Sequence, residues 1–209
     1  MNTHDKSKER RAAAPGRGAS ARMLRIIAGT WRGRRFRFTA EADIRPTPDR
    51  VRETLFNWLR DRVVQARCLD LCAGSGALGL EALSRGARRV HFVESDVNAA
   101  RDLSARLLEW GAVGATVERT DTLRYLRSKP EPFDIVFLDP PFAAGLLGAA
   151  ARLLEDREWL APGALIYIES AARAALPELP ATWRLAKAKR AGEVGYHLFE
   201  TGMPGGITE

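Results

Sequence analysis

The sequence predicts an α/β protein built on a doubly wound, mostly parallel sheet that an antiparallel hairpin closes. Three observations support this prediction. Strand-like and helix-like apolar patterns alternate from residue 67 to residue 169, as is typical of parallel sheets. A glycine-rich turn, Gly74-Ser75-Gly76, directly follows the first of these strands. The chain then ends in two strand-like segments separated by Ala191-Gly192, which predicts an antiparallel pair.

The N-terminal part of the sequence predicts a small unit ahead of the sheet. Residues 1–22 are rich in Lys, Arg, Ala, Gly and Ser, so we expect a disordered basic arm. Residues 24–28 and 34–38 have the composition of two short strands joined by a glycine-containing turn. Thr47-Pro48 is typical of a helix N-cap followed by proline at the first helical position, and this helix is predicted to reach about Val63.

The remaining elements follow from the spacing of apolar residues. Leu147, Ala150 and Leu154, for example, recur at helical spacing in the last helical segment. The predicted strands are 67–72, 89–94, 114–118, 133–138, 164–169, 182–189 and 194–200, and the predicted helices between them are 77–85, 96–110, 121–128 and 145–156. We therefore expect a single domain over residues 23–209, with the hairpin and first helix in 23–65 and the sheet core in 66–200.

The net charge of the chain, +7, is concentrated at its N-terminal end. Residues 1–37 hold 11 of the 33 Lys and Arg residues but only two of the 26 acidic residues, so this part carries +9 and the remainder −2. A basic pole on a nearly neutral body favours a polyanionic partner such as nucleic acid. A tail that merely aids solubility is the alternative.

The composition, with 45% hydrophobic and 28% charged residues, is that of a soluble globular protein. No apolar run is long enough to span a membrane, and none in the first thirty residues forms the core of a signal peptide. The two cysteines, Cys68 and Cys72, and three scattered histidines form no metal-ligand pattern. We therefore expect a cytoplasmic monomer that contacts neither a metal nor a membrane.

A strand, a glycine turn and a helix start follow one another between Cys68 and Gly79. Glycines allow the backbone to turn tightly and to approach a ligand closely. Glu94 ends the next predicted strand, 20 residues after Gly74, a spacing at which a carboxylate can accept hydrogen bonds from ribose hydroxyls. The pattern predicts a site for an adenosine-containing cofactor, and the glycine spacing alone also fits NAD. A tight turn without a ligand is the simpler alternative.

The carboxylate of Asp70, four residues before Gly74, favours S-adenosylmethionine over NAD. It would repel the pyrophosphate of a dinucleotide, whereas S-adenosylmethionine carries an amine and a sulfonium but no phosphate. The predicted cofactor contacts in this region are Asp70, Ala73, Gly74, Ser75, Gly76, Glu94 and Ser95.

The tetrapeptide Asp139-Pro140-Pro141-Phe142 directly follows the apolar strand 133–138. Its two prolines stiffen the turn and have no N–H donors, so the segment is rich in acceptors. The Asp139 carboxylate and the Pro140 carbonyl are suited to hold the exocyclic amine of a nucleobase, and Phe142 offers a face on which an extruded base can stack. A strand that simply ends in a proline turn is the alternative, but the tetrapeptide and the glycine turn are expected at the same sheet edge.

These segments also carry a family resemblance. Residues 70–79, Glu94 and residues 139–142 resemble the signature of S-adenosylmethionine-dependent amino-methyltransferases. Residues 45–59, with residues 25–34 ahead of them, closely resemble the N-terminal motif of the bacterial 16S (small-subunit) rRNA guanine-N2 methyltransferases. The chain is therefore identified as a member of that family, which implies a Rossmann-like class I methyltransferase fold.

The resemblance runs from about Arg25 to Glu200 and departs from the family at two places. Cys72 stands where phenylalanine is frequent, and Pro48 stands where threonine is frequent. The first 22 residues have no counterpart, so Met23 is an alternative start. The resemblance also implies that Asp121, with Thr122 beside it, holds the adenine amino group, although Asp121 equally suits the N-cap of the helix that begins there.

Residues 45–59 are implied to border the cofactor and target pocket. On the predicted helix, Arg52 falls within the apolar arc, so it is either structurally paired or part of the active site. In the hairpin, Trp31 lies among arginines that suit phosphate and base contacts, with a solvated hairpin as the alternative. The predicted RNA contacts are Trp31, Arg32, Arg34, Arg35, Arg45, Thr47, Arg50 and Arg52.

The predicted function is transfer of a methyl group to the exocyclic N2 of a specific guanine in 16S rRNA, within an assembling 30S particle. The predicted catalytic residues are Asp139, Pro140, Pro141 and Phe142. A DNA adenine-N6 methyltransferase could use the same tetrapeptide, but 209 residues leave no room for a separate recognition region. A non-catalytic RNA-binding protein on the same fold is the other alternative.

Overall fold

The structure is a computed structural model that describes residues 20–40, 47–140 and 145–202. It contains a two-stranded and a seven-stranded sheet. The strands are β1 (Ser20–Arg25), β2 (Arg35–Ala40), β3 (Arg67–Asp70), β4 (Arg89–Glu94), β5 (Ala115–Arg119), β6 (Phe133–Leu138), β7 (Leu160–Ala171), β8 (Trp183–Ala191) and β9 (Val194–Thr201). The α-helices are α1 (Asp49–Leu59), α2 (Ala77–Ser84), α3 (Val97–Glu109), α4 (Thr122–Leu126) and α5 (Leu146–Asp156).

The large sheet has the strand order β5-β4-β3-β6-β7-β9-β8. Its first five strands pair in parallel, while β9 runs antiparallel to both β7 and β8. The chain enters at β3, builds outward through β4 and β5, and then returns to β6 on the other side of β3. This topology confirms the predicted doubly wound fold and its closing hairpin. It also places a crevice at the carboxyl ends of β3 and β6, where ligands bind in sheets of this kind.

Apolar side chains cover both faces of the large sheet. On one face, Ile26 of the hairpin connection, Phe56 of α1 and Phe137 of β6 belong to a single buried cluster. On the other face, Val136 of β6 and Leu154 of α5 belong to a second cluster. Because β6 is buried on both faces from Ile135 to Leu138, this part of its sequence is a continuous apolar run rather than an alternating one.

The first strand of the N-terminal hairpin begins and ends earlier than predicted, and its hydrogen bonds explain where it ends. Strand β1 begins at Ser20, so the last three residues of the predicted basic arm belong to a strand, whereas residues 1–19 lie outside the described part of the chain. The strand ends at Arg25 instead of extending to residue 28. The N–H groups of Ile27 and Ala28 donate to the carboxylate of Glu81, at 2.8 and 3.0 Å, and are not paired with a strand.

The predicted N-cap at Thr47 is wrong. Helix α1 begins at Asp49, after Pro48 in an extended conformation, and no side chain caps it. The Thr47 hydroxyl is instead within 2.8 Å of a carboxylate oxygen of Glu169 on β7. The helix ends at Leu59 and continues as a 3₁₀ turn over Arg60–Arg62, which makes it shorter than predicted.

Candidate active site

Four acidic side chains lie at the carboxyl ends of the parallel strands. Asp70 ends β3, Glu94 ends β4, Asp139 directly follows β6, and Glu169 lies near the end of β7. Leu138 of β6 is paired with Ile168 of β7, so the next residues along the two strands, Asp139 and Glu169, are level. The sheet therefore brings the two motifs of the sequence to one edge, as predicted.

The glycine turn is held by backbone hydrogen bonds and by positive φ angles. The N–H of Ala73 donates to the carbonyl of Val93 at 3.0 Å, and the N–H of Gly76 donates to the carbonyl of Ala73 at 2.6 Å. Gly74 and Gly76 have φ angles of 50° and 75°, which favour glycine. A β-carbon on Gly76 would also lie only 2.5 Å from a methyl group of Leu103. The turn therefore requires glycine for both conformational and packing reasons.

Asp70 lies buried beneath the glycine turn. One of its carboxylate oxygens accepts the N–H of Gly79, in the first turn of α2, at 3.0 Å. Burial raises the pKa of Asp70 to about 7; the hydrogen bond from Gly79 opposes the rise and the charge of Glu94 adds to it. The carboxyl group therefore titrates near neutral pH and would gain a counter-ion from a cationic ligand.

Glu94 closes the turn from the side of β4. Its Oε2 accepts the N–H of Gly74 at 2.6 Å, and its Oε1 accepts the N–H of Asp96 at 2.7 Å. Each carboxylate oxygen keeps a further lone pair for a ligand hydroxyl. Ser95 is exposed next to it. The 20-residue spacing that indicated Glu94 in the sequence corresponds to a direct hydrogen bond to the turn.

Asp121 and Thr122 lie at the start of α4 and have different roles. Asp121 is exposed and caps the helix by accepting the N–H of Arg124 at 3.0 Å. Thr122 is buried, and its hydroxyl donates to the carbonyl of Leu71 at 2.7 Å. The Thr122 side chain therefore fixes α4 against the end of β3, and the cofactor contact of Thr122 stays a prediction.

Asp139 belongs to a chain of polar side chains behind the sheet edge. Its Oδ2 lies 3.3 Å from the hydroxyl oxygen of Thr47, which lies 2.8 Å from Oε1 of Glu169. The hydroxyl of Tyr167 donates to the same Glu169 oxygen at 2.8 Å. Thr47, Tyr167 and Glu169 are buried, whereas Asp139 is half-buried and Pro140, next to it, is buried.

The pKa values of the two carboxyl groups in this hydrogen-bonded series, Asp139 and Glu169, are both raised. Burial raises the pKa of Asp139 well above its ordinary value, and the charges of Glu169 and Asp70 raise it further, against the hydrogen bond from Thr47. Burial also raises the pKa of Glu169, although Thr47 and Tyr167 oppose the rise. Among the described residues no Lys or Arg forms an ion pair with either carboxylate. A group with a raised pKa in a crevice is a candidate for proton transfer.

The predicted RNA contacts divide into surface and interior residues. Arg32, Arg34, Arg35 and Arg50 are exposed, which suits contact with a polyanion. Trp31 is half-buried and packs edge-on against Trp110, with ring centroids 5.3 Å apart, and the Arg34 guanidinium lies over the same Trp110 ring. The two tryptophans thus pack the hairpin turn against the end of α3, and Arg32 and Arg35 are exposed on the hairpin.

Arg52 is fully buried, so the prediction that it contacts RNA is wrong. Its Nη2 donates to Asp49 at 2.6 Å and to the carbonyl of Arg25 at 2.9 Å, and its Nη1 lies 3.7 Å from the carboxylate of Glu81. A charged residue on an apolar helix face must be paired, and this pairing is structural. Of the other predicted site residues, Arg45, Pro141 and Phe142 lie outside the described part of the chain.

Two polar residues of this region were not indicated by the sequence analysis. Glu169 lies beside Asp139, and a carboxylate at the end of the strand after β6 was the available signal. Arg106 is buried on α3 and donates to the carbonyls of Ser75 and Arg37, at 3.3 and 2.8 Å. It therefore ties the glycine turn to β2 of the hairpin, and helical periodicity alone gave no indication of that link.

Neither a membrane span nor a metal cluster is present in the described ranges. No helix there is long and apolar enough to cross a membrane, and no three His, Cys, Asp or Glu side chains are placed to hold a metal ion.

Comparison with known proteins gives consistent matches. Residues 24–200 match the family model described as conserved hypothetical protein 95. Ribosomal RNA small subunit methyltransferase D of Escherichia coli K12 is 48% identical over 178 residues, which cover 85% of this chain and 90% of that protein. The solved structure of a putative methyltransferase from Escherichia coli has a TM-score of 0.80 and 48% identity, covering 87% of this chain and 99% of the other.

A more distant solved structure shows the fold alone. It is an RNA methyltransferase from Salinibacter ruber in complex with S-adenosyl-L-homocysteine, with a TM-score of 0.58 and 16% identity, covering 79% of this chain and 100% of the other. The family resemblance predicted from residues 25–59, 70–79, Glu94 and 139–142 is confirmed by the closer matches. The chain therefore belongs to the family of ribosomal RNA small subunit methyltransferase D, whose model is described as conserved hypothetical protein 95.

Proposed function

We propose that this protein transfers the methyl group of S-adenosylmethionine to the exocyclic N2 of a guanine in small-subunit rRNA. The observation that carries the proposal is the position of Asp139. It directly follows β6, at the same sheet edge as the glycine turn, and its half-buried carboxyl group has a raised pKa. Such a group can hold an amine and accept its proton. The relative of 48% identity is named as an rRNA methyltransferase, which supports the substrate class.

The acidic edge fits a cationic adenosine cofactor better than a dinucleotide. Asp70 and Glu94 both lie at the glycine turn, and neither is paired with a Lys or Arg within the described residues. In the proposal, Glu94 binds the ribose hydroxyls, Asp121 binds the adenine amino group, and Asp70 faces the positive end of the cofactor. The backbone of Ala73 to Gly76 lies against the cofactor between them.

The chemistry divides between cofactor and protein. S-adenosylmethionine supplies a methyl group already activated by its sulfonium. The protein then has to align the guanine nitrogen with that methyl group and exclude water. Asp139 and the carbonyl of Pro140 hold the two N–H groups of the amine, and Asp139 accepts the proton as the new N–C bond forms. Phe142 stacks on the base in this proposal.

The test is methyl transfer from labelled S-adenosylmethionine to unmodified small subunits, free 16S rRNA and duplex DNA, followed by digestion to nucleosides. Label in N2-methylguanosine is the expected result, and the ratio of particle to free RNA shows how much the particle contributes to recognition. Label in N6-methyladenine would overturn the substrate. Binding of cofactor without transfer to any of the three would instead indicate a non-catalytic RNA-binding protein.

Cofactor affinity is expected to fall with decreasing pH because Asp70 must be ionised to face a cation. With its pKa at about 7, Asp70 is mostly ionised at pH 8 and mostly protonated at pH 6. We expect roughly tenfold weaker binding of S-adenosylmethionine at pH 6 than at pH 8, which calorimetric titration would measure. In Asp70→Asn the affinity should be low and independent of pH over this range. An equal pH dependence in both proteins would contradict the role of Asp70.

The exposed arginines of the hairpin are expected to set the salt dependence of RNA binding. Removal of two phosphate contacts in the double variant Arg32→Ala/Arg35→Ala should lower the slope of log affinity against log salt by about 1.5, with cofactor affinity unchanged. The matched control is Arg152→Ala/Arg157→Ala on or next to α5, which packs on the opposite face of the sheet. Equal slopes in the two double variants would show that the hairpin does not contact RNA phosphates.

A further inference from the structure

Thr47 joins two carboxyl groups that belong to neighbouring strands. Its hydroxyl oxygen lies 2.8 Å from Oε1 of Glu169 and 3.3 Å from Oδ2 of Asp139. A hydroxyl group has one proton and can donate to only one of these acceptors at a time. If it donates to one carboxylate, it can hydrogen-bond to the other only by accepting a proton from it.

The geometry favours one direction for this chain of hydrogen bonds. Glu169 Oε1 is the closer acceptor for Thr47, and it also accepts the hydroxyl of Tyr167 at 2.8 Å. Two donors on one oxygen stabilise the charge of Glu169. When the Thr47 proton is directed to Glu169, the longer contact with Asp139 is a hydrogen bond only if Asp139 is protonated and donates to the Thr47 oxygen. This arrangement suits a pair of carboxyl groups that shares one proton.

The surroundings favour a single shared proton over two ionised groups. Asp70 of β3 adds negative charge on one side of Asp139, and Tyr196 of β9 is paired with Glu169 across the sheet. Burial raises the pKa of the Cys72 thiol to about 12, and neighbouring acidic groups add to the rise, so Cys72 is a neutral thiol beside the pair. No described Lys or Arg lies within ion-pair distance of either carboxylate. Two neighbouring like charges with no counter-ion among the described residues are costly, which favours one neutral carboxyl group.

We propose that Glu169 is a positioning residue that shares one proton with Asp139 through the Thr47 hydroxyl and thereby controls the charge of Asp139 during methyl transfer. This proposal rests on the proposed function. When the guanine amine arrives, the proton of Asp139 passes to Thr47 while the Thr47 proton passes to Glu169. Asp139 then carries the negative charge next to the amine.

The proton balance of the reaction follows from this exchange. The bond between guanine N2 and the methyl carbon forms as the bond between that carbon and the cofactor sulfur breaks, and the electron pair of the broken bond stays on sulfur. The proton that N2 loses passes to Asp139. The pair of carboxyl groups, which began with one proton, then holds two and returns one to solvent after the product has left.

The first test is Glu169→Gln, which keeps the shape of the side chain and removes its charge. Loss of a neighbouring negative charge lowers the pKa of Asp139, so the midpoint of the acid limb of the kcat profile should move down by about one pH unit. We expect kcat at the plateau to fall about tenfold because a less basic Asp139 is a weaker proton acceptor. Cofactor affinity should be unchanged.

The second variant, Thr47→Val, should move the midpoint in the opposite direction. Once Asp139 is ionised, the Thr47 hydroxyl donates to it, and this charge-assisted bond lowers the pKa of Asp139, so removal of the hydroxyl leaves Asp139 more difficult to ionise. The control is Glu178→Gln, at an exposed residue between β7 and β8, which should leave the midpoint unchanged. If Glu169→Gln and Thr47→Val both lose activity while the midpoint of the acid limb stays at its wild-type value, the proposal is overturned. The hydrogen-bonded side chains would then have a purely structural role.

Infrared difference spectra between the wild-type protein and each variant need no substrate. They therefore test the shared proton independently of the proposed methyl transfer. Above the pKa of Asp70, the wild-type protein should keep the C=O band of one protonated carboxyl group of the pair to a higher pH than either Glu169→Gln or Asp139→Asn. In both variants the band should disappear at a lower pH, because each substitution removes the neighbouring negative charge. Persistence of the band in both variants to the same pH as in the wild type would show that the pair holds no shared proton, whatever the methylation assay gives.

Discussion

Asp139→Asn is expected to lower methyl transfer at saturating cofactor by at least about 100-fold, since loss of a general base costs roughly 10²–10⁴-fold. The amide keeps the size of the side chain and one acceptor oxygen, but it cannot take up the proton of the guanine amine. Asp139→Ala should lose activity as well, because it removes both the acceptor and the proton site. Cofactor affinity should remain in both variants, because the proposed cofactor contacts lie at the ends of β3 and β4 and at the start of α4. Single-turnover assays with the 30S particle, together with calorimetric titration of cofactor, would measure the two quantities.

The same substitution is expected to stabilise the fold at alkaline pH. The pKa of Asp139 is raised above its unfolded value by burial and by Glu169, so the folded protein binds a proton more tightly than the unfolded chain. The free energy of unfolding therefore falls as pH rises from the unfolded pKa through the folded one. Asparagine removes this loss, so the variant should have a higher Tm than the wild type at pH 8 and a smaller advantage at pH 5.

A combined result would distinguish a catalytic role from a structural one. A variant that is inactive, binds cofactor and melts at a higher temperature identifies Asp139 as a residue whose charge serves function at the expense of stability. A lower Tm at pH 8 would contradict the electrostatic argument. Unchanged turnover would exclude Asp139 as the proton acceptor.

The parts of this protein that the sequence predicted are those with local causes. The glycine turn requires Gly74 and Gly76 because their φ angles are positive, and this requirement can be recognised from neighbouring residues alone. The position of Glu94 follows from the length of one strand–helix–strand unit. The apolar run 133–138 directly before Asp139 indicated a strand buried on both faces and therefore the sheet edge at which Asp139 lies.

The parts that were not predicted depend on contacts distant in sequence. Thr47 has the pattern of an N-cap, yet its hydroxyl bonds to Glu169, 122 residues away. Arg52 on an apolar helix face had two interpretations. Its closest acidic partner, Asp49 at 2.6 Å, is local, but its complete burial also brings it within 3.7 Å of Glu81 on α2, which local sequence does not single out. In each case the local preference was overridden by a buried partner, and periodicity carries no information about which partner that will be.

Glu81 is a buried acidic residue that connects several segments of the chain. Its buried carboxylate accepts the N–H groups of Ile27 and Ala28 at 2.8 and 3.0 Å, and the guanidinium of Arg85 at 2.8 Å. It also lies 3.7 Å from the buried guanidinium of Arg52. One side chain on α2, the helix that follows the glycine turn, therefore holds both the hairpin connection and α1, the helix that follows Thr47.

Glu81→Ala is expected to destabilise the protein by about 3–5 kcal/mol, because it leaves the buried Arg52 with Asp49 as its one acidic partner among the described residues. It also deprives the Arg85 guanidinium of its acceptor. Two backbone N–H groups would lose their acceptor as well, and each such group is costly when buried. Urea unfolding would measure the free energy, with Glu109→Ala, an exposed position on α3, as the control. Glu81→Gln should lose less, because the amide still accepts one of the backbone N–H groups. A loss below about 1 kcal/mol in Glu81→Ala would mean that the hairpin and α1 are held mainly by their apolar contacts, since surface substitutions have effects of that size.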